Sequence, residues 1–392
     1  MTKRAPLSCR LGFNAQHSPM GAFMSFTCGN FGTRGGIGLQ IGQPGDQEVF
    51  IGFKDGDRYS DATLKCLPFY TAAVSRAADA FLVEQAGPSE QNVKPDAEPF
   101  KESEFSRSYG WASDEWAADG LTFSVYSPFG AIPDPAVASK EQMREGLLPA
   151  VIARLELDNT TGTTTKTAMF ALNHARPGSR ILNDDLGSGR LAFAFRREAG
   201  GAAELRDFTT SADGSKVEDE PFVFMRWSAS DGVREHHNPI HLLGSCPGFG
   251  FEVPAGKKYG ITIALGSYLE GFQTNGLDGR YLYTRYFKGL GDVLKAALDS
   301  SAKIIAAAKA LDSKLDQADL SGDQRFLISH ATHSYYGSTQ LLEIEDQPFW
   351  VVNEGEYCMM NTLDLSVDHV FWELEHNPWL VRNLLDNFVR LY

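Results

Sequence analysis

The sequence predicts a β + α protein: an antiparallel β-sandwich followed by the first helices of a helical domain. Three observations carry this. Short β-rich runs recur between turn residues up to about residue 275. Helical spacing replaces them beyond Leu277. The last helical pattern is still running at Arg390-Leu391-Tyr392, with no capping glycine or polar tail, so the helical domain is expected to be incomplete.

The predicted strands are Ala22–Thr27, Gly36–Ile41, Val49–Phe53, Leu121–Ser127, Ala150–Leu157, Thr165–Asn173, Leu191–Arg197, Phe222–Trp227 and Tyr259–Tyr268. Ala150–Leu157 alternates apolar and polar residues, then meets Asp158-Asn159, as a half-buried strand entering a turn does. Thr160–Thr165 leads from there towards Asn173, which predicts a hairpin. Many short strands without intervening helices favour a sandwich over βαβ units. Gln85–Pro99, with three prolines and many polar residues, reads as a surface loop.

Leu290–Leu320 is rich in Ala, Leu, Lys and Asp, with Val293, Ala296, Ala297, Ser300 and Ile304 at helical spacing. Asp323–Glu343 reads as a second helix, with Ser321 as its N-cap. A third covers Ser366–Glu375 and a fourth starts near Pro378, a favoured first-turn residue. The division is a sandwich over 1–276, a linker helix region over 277–320 and a helical domain from 321 to 392.

A chain of 392 residues exceeds what one compact core usually holds. Hydrophobic residues at 43% and charged residues at 22% suit a soluble globular protein. A formal charge of −14 argues against nucleic acid and anionic membranes as partners, since both would repel it. Five scattered cysteines (Cys9, Cys28, Cys66, Cys246, Cys358) lack zinc-like spacing and point to a reducing compartment. The basic start is not followed by a continuous apolar stretch, and no window reaches the roughly 18 apolar residues of a membrane helix. The expected location is the cytoplasm. The Asn159-Thr160-Thr161 sequon has no meaning there.

The densest chemistry lies in Phe349-Trp350-Val351-Val352-Asn353-Glu354-Gly355-Glu356-Tyr357, read as a loop between two helices. From Glu343 to Asp386 there are ten carboxylates against one basic residue, Arg382. A carboxylate buried in this apolar setting without a cation has a raised pKa, as catalytic acids require. The same residues also suit an acidic surface on helix ends. Glu354 and Glu356 stand apart, flanked by Trp350 and Tyr357, with Gly355 permitting close approach of a ligand. Glycoside hydrolysis fits such a pair of acids beside aromatic faces.

Trp350–Tyr357 with Met359-Met360-Asn361-Thr362 resembles the nucleophile segment of glycoside hydrolase family 52, the β-xylosidases. Ser334–Leu342 is similar to that family's preceding helix, and Phe13–Phe23 to its start. Tyr126-Ser127-Pro128 and Ile132-Pro133-Asp134-Pro135 add further matches. The resemblance implies a β-sandwich packed on an (α/α)6 barrel, no metal or cofactor, and a retaining double displacement. It implies Glu354 as nucleophile. Glu356, Trp350, Asn353, Tyr357 and His17 are expected to contact a short xylo-oligosaccharide. The family's acid/base aspartate falls beyond the matched region, so the isolated chain is expected to be inactive. A homodimer is allowed for the full-length protein. Cys358 stands where the family has a larger basic residue, and Gln16 where histidine is usual.

Other signals are weaker. His236-His237-Asn238-Pro239-Ile240-His241 has no strong metal spacing and reads as a polar loop. His330 and His333, three apart on a helix, suit packing or a sugar hydroxyl. Gly29–Gly42 lacks a phosphate-loop pattern and reads as a glycine-rich hairpin. His17 is divided between a sugar contact and turn structure. The rival to a glycosidase is a non-catalytic carbohydrate-binding module or pseudoenzyme fragment.

Overall fold

The fold is given by a computed structural model. It describes residues 12–39, 45, 47–57, 60, 62–70, 97–174, 191–197, 222–223, 248–271, 278–354 and 359–391. Strands β1 (Ala15–His17), β2 (Met24–Cys28) and β3 (Gly36–Leu39) form a three-stranded antiparallel sheet. Then come β4 (Gln47–Asp55), β5 (Leu64–Cys66), β6 (Ala97–Pro99), β7 (Phe105–Tyr109), β8 (Ser113–Ala118) and β9 (Leu121–Tyr126). Helix α1 (Lys140–Gly146) precedes β10 (Ala150–Asn159), β11 (Lys166–His174), β12 (Leu191–Arg197) and β13 (Phe222–Val223). After β14 (Gly248–Val253), β15 (Lys257–Ser267) and β16 (Arg280–Tyr281) come the longer helices α2 (Leu290–Gln317) and α3 (Gly322–Gly337). The chain then runs through β17 (Thr339–Ile344), β18 (Gln347–Glu354) and β19 (Met359–Met360) to α4 (Leu363–His376) and α5 (Pro378–Leu391).

One six-stranded sheet has the order β12-β15-β10-β9-β8-β7 and is antiparallel throughout. The second has the order β13-β14-β11-β4-β5-β6, with only the β5–β6 pair parallel. The ring of Phe123 in the first sheet stacks on Phe170 in the second at 6.2 Å, and Phe26 of β2 lies 6.4 Å from each. Three sheets thus share one aromatic contact, and the buried cluster around it extends to Leu298 of α2, Trp350 of β18 and Leu380 of α5.

Helix α2 explains why β10 departs from strict alternation. Leu155 and Leu157 alternate with the more exposed Arg154, Glu156 and Asp158, yet Ala150–Ala153 is buried throughout. Val293 and Leu294 of α2 lie close against Gly266 and Ala150, covering this end of the sheet on its other face. Apolar side chains on both faces are what a doubly covered strand needs. Further along α2, the buried Asp312 accepts hydrogen bonds from the Ala112 N–H (2.9 Å) and the Ser113 hydroxyl. Gly110 makes that approach possible, because an added Cβ would lie 2.3 Å from Asp312 Oδ1.

Several expectations change. The hairpin predicted across Thr160–Thr165 is instead a crossing between sheets: β10 pairs with β9 and β15, β11 with β4 and β14. Both edges of β10 are occupied, and Asn159 turns the corner. Its amide donates to the carbonyls of Thr164 (2.8 Å) and Val253 (2.9 Å), while its own carbonyl accepts from Gly162 and Gly256. The helix expected over Asp323–Glu343 ends at Gly337, and Thr339–Ile344 forms β17. The reversal into β18 uses Glu345 and Asp346, both left-handed at φ 50° and 62°, the twist a tight hairpin demands. Ala97–Pro99, expected in a loop, is β6, and 85–96 lie outside the described residues. So does the end of the strand predicted over Phe222–Trp227, of which Phe222–Val223 is described. Helix α1, with a Ser139–Gln142 capping box, was not predicted.

Replacing Asp312 by alanine strands the buried Ala112 N–H and loosens α2 from β8. We expect a loss of about 1–3 kcal/mol, the usual cost of a buried unsatisfied polar group. Urea titration measures it, and an unchanged midpoint would show that water replaces the carboxylate.

Candidate active site

Glu354 is the last residue of β18 and is partly exposed. Its strand is held on both edges. On one side β17 pairs from Thr339↔Val352 to Ile344↔Gln347, and the Asn353 N–H donates to Ser338 O. On the other, two asparagine amides stand in for a neighbouring strand. Asn383 of α5 accepts from the Trp350 N–H (2.9 Å) and donates to Pro348 O (2.7 Å). Asn361 accepts from the Val352 N–H (2.8 Å) and donates to Trp350 O (2.8 Å), and its own N–H bonds Val352 O (3.0 Å). The register continues into β19 as Asn353↔Met360 and Glu354↔Met359. The segment expected as a loop is therefore a strand, because its backbone has partners on both sides.

The other predicted contacts are placed differently. Trp350 is buried, close to Gly21 and Leu341. Asn353 is buried, its amide donating to Ser338 O (3.1 Å) and Gln340 Oε1 (3.2 Å). His17 is completely buried in β1, with Nε2 3.4 Å from Asp114 Oδ2 and its ring edge-on to His333 at 5.1 Å. These three side chains present almost no surface. Glu356 and Tyr357, with Gly355 and Cys358, lie outside the described residues, as does His236–His241.

Around His17 the structure builds a buried charged cluster. Arg107 donates to both oxygens of Asp114 (2.8 and 2.6 Å) and to Phe13 O (2.8 Å), and lies over the rings of Phe13 and Trp116. Burial alone would raise the Asp114 carboxyl, but the Arg107 guanidinium with its two hydrogen bonds, and the neighbouring His17, hold it well below the usual carboxylate range. His333 Nδ1 bonds Gln16 O at 2.8 Å, and its ring also meets Tyr109 and Phe129. Burial, then the neighbouring His17, pushes His333 down to about 3. His330 stacks on Phe326 at 5.5 Å, and burial lowers it too.

Sequence reasoning did not single out Glu373. It is the buried carboxylate of α4, accepting from the Tyr335 hydroxyl (2.6 Å) and the Asn377 amide (2.8 Å), and burial raises its pKa. Asn377 in turn accepts from the Ile132 N–H (2.6 Å), and the Trp379 indole donates to Ile132 O (2.7 Å). With both oxygens engaged and 1% exposure, Glu373 fastens the Ile132-Pro133 segment to the α4–α5 junction. Glu354, by contrast, stands at a strand end with part of its surface open. A separate open cleft of about 500 Å³, lined by Glu104, Asp119, Glu156, Asp158 and Lys258 among others, shares no residue with β18. Among the described residues no group of three or more His, Cys, Asp and Glu is arranged to hold a metal, and no helix is long and apolar enough to cross a membrane.

Comparison with known proteins gives the family. The sequence profile of glycosyl hydrolase family 52 matches residues 26–392. The chain belongs to this family. It is 36% identical over 392 residues to a beta-xylosidase of Geobacillus stearothermophilus, covering 97% of this chain and 52% of that protein. A second beta-xylosidase of that organism is 36% identical over 391 residues, covering 97% and 60%. The chain thus spans a little over half the length of these two relatives. The family match runs from within β2 to the end of α5, so it includes β18, both asparagine clamps and Glu373.

Acid should weaken the fold through His333. Its folded pKa lies below that of the unfolded side chain, so the unfolded chain takes up the proton first, and stability falls as pH drops from about 6.5 towards about 3. Between pH 7 and pH 5 this amounts to roughly 2 kcal/mol. Asp114 acts in the opposite range: its depressed pKa keeps its contribution until pH falls below the ordinary carboxylate value. His333→Gln removes the histidine part. Urea unfolding at pH 7 and pH 5 should show the variant losing clearly less stability than the parent; equal losses would assign the effect elsewhere.

Proposed function

We propose that this chain is the nucleophile-bearing portion of a retaining β-xylosidase that releases xylose from the non-reducing end of short xylo-oligosaccharides in the cytoplasm. The observation that carries the reading is Glu354: a partly exposed carboxylate at the end of a strand held on both edges, in a segment that matches family 52. The carboxylate oxygen attacks the anomeric carbon, the glycosidic C–O bond breaks, and a covalent xylosyl-enzyme forms. Water then displaces Glu354, restoring the β configuration. A second carboxyl group about 5–5.5 Å away protonates the leaving oxygen and later deprotonates the water. In the family that residue is an aspartate beyond the matched motifs. Glu356 and Tyr357 are assigned to the sugar, whereas Trp350, Asn353 and His17 serve through the buried surroundings they build.

In this reading residues 1–276 form the β-sandwich, 277–320 the linker helix and 321–392 the first part of an (α/α)6 barrel. The two facing six-stranded sheets and their shared Phe123–Phe170 contact support the sandwich. Helix α4 supports the barrel: it turns Leu363, Val367, Phe371 and Leu374 outwards, an apolar stripe suited to packing against further helices.

Labelling with 2,4-dinitrophenyl 2-deoxy-2-fluoro-β-xyloside tests the nucleophile directly, because dinitrophenolate leaves without a proton and needs no acid. Peptide mass spectrometry should find the adduct on Glu354 and none in Glu354→Gly. An adduct on Glu356 would overturn the assignment. Binding of xylobiose with no adduct anywhere would favour a carbohydrate-binding module.

A further inference from the structure

We infer that Asn361 is the positioning residue for Glu354, a role that rests on the reading of Glu354 as nucleophile. Glu354 ends its strand, so its main chain has no following strand residues among those described to fix it. What fixes it is the edge of β18 away from β17. There the outward backbone groups of Trp350 and Val352 point at Asn361, which satisfies three of them: Trp350 O, the Val352 N–H and Val352 O. A carboxamide can set an N–H donor and a carbonyl acceptor side by side in one plane, the pattern a strand edge presents in a sheet.

The backbone of Asn361 adds a second constraint. Its φ of 52° is left-handed, a conformation asparagine tolerates better than most residues. That turn brings side chain and main chain of one residue to the same edge. It also sets the register of β19, which places Met359 opposite Glu354. Aspartate would keep the acceptor for Val352 but oppose an oxygen to Trp350 O. Glycine would keep the turn and lose both side-chain bonds.

Asn383 provides an internal comparison. It makes the same two-point contact with β18, at Pro348 and Trp350, further from the carboxylate, and is itself bonded by Asn387. If such clamps serve only to hold the strand in the fold, loss of either should have one kind of effect. If Asn361 aims Glu354, its loss should slow attack beyond any effect on stability. Displacing a reacting group by about 1 Å can cost on the order of 100-fold in rate.

The experiment is the rate of covalent labelling by the dinitrophenyl 2-fluoroxyloside, resolved into maximal rate and half-saturating concentration, with melting temperatures alongside. For Asn361→Gly the maximal rate should fall about 10–100-fold, while for Asn383→Gly it should stay within about twofold. Both should lower the melting temperature. Asn361→Asp should slow labelling in the same direction, and decides the matter if the glycine variant fails to fold. An adduct on Glu354 that forms at parental rate in the Asn361 variants, or slows equally in both clamps, would overturn this role while leaving the nucleophile in place. No adduct on Glu354 in the parent would overturn both.

Discussion

The structure depends on one buried charge pair. Removing Arg107 and Asp114 from water is costly, and only near-complete coordination offsets it. Asp114 receives two bonds from the guanidinium and lies against His17; Arg107 also holds the Phe13 carbonyl and two aromatic faces. The pair can therefore exist only if β7, β8 and the amino-terminal segment assemble around it. That assembly fixes β1, whose Gln16 carbonyl receives His333 of α3. The end of α3 leads directly into β17, and β17 supplies one edge of β18. Glu354 stands at the far end of this sequence of supports.

Two carboxylates within one short region are treated differently by their surroundings. Glu373 is enclosed and bonded at both oxygens, which suits a fixed joint. Glu354 keeps contact with solvent at a strand end, as the nucleophile role proposed for it requires. Environment assigns such roles more than residue type does.

Individual strands were legible, β10 from visible alternation and others, such as β15, from their β-rich runs, and so were α2, α4 and α5. Sheet membership was not. Nothing local in Thr160–Thr165 distinguishes a hairpin from a crossing, because the outcome depends on Asn159 meeting Val253, 94 residues away. The end of α3 was misread because Leu341-Leu342-Glu343-Ile344 suits helix or strand, and the Glu345-Asp346 reversal lacks the glycine or asparagine that marks tight hairpins. In α4 the usual rule inverts: Glu373 faces in while Phe371 and Leu374 face out. The segment around Glu354 could be found from its resemblance to a family. Asn361 and Asn383 could not be understood, since an amide that mimics a strand is visible only once the strand is in place.

The residues between β1 and β2 find their partners very late in the chain. The Gly21 N–H bonds Thr339 Oγ1 across 318 residues, and the Phe23 N–H bonds Thr339 O. A ribosome adding about 5–20 residues per second needs on the order of tens of seconds to cover that distance. Throughout that time the nascent amino-terminal segment has emerged without the strand it must join. The docking of Gly21 and Phe23 onto Thr339 therefore follows synthesis of β17.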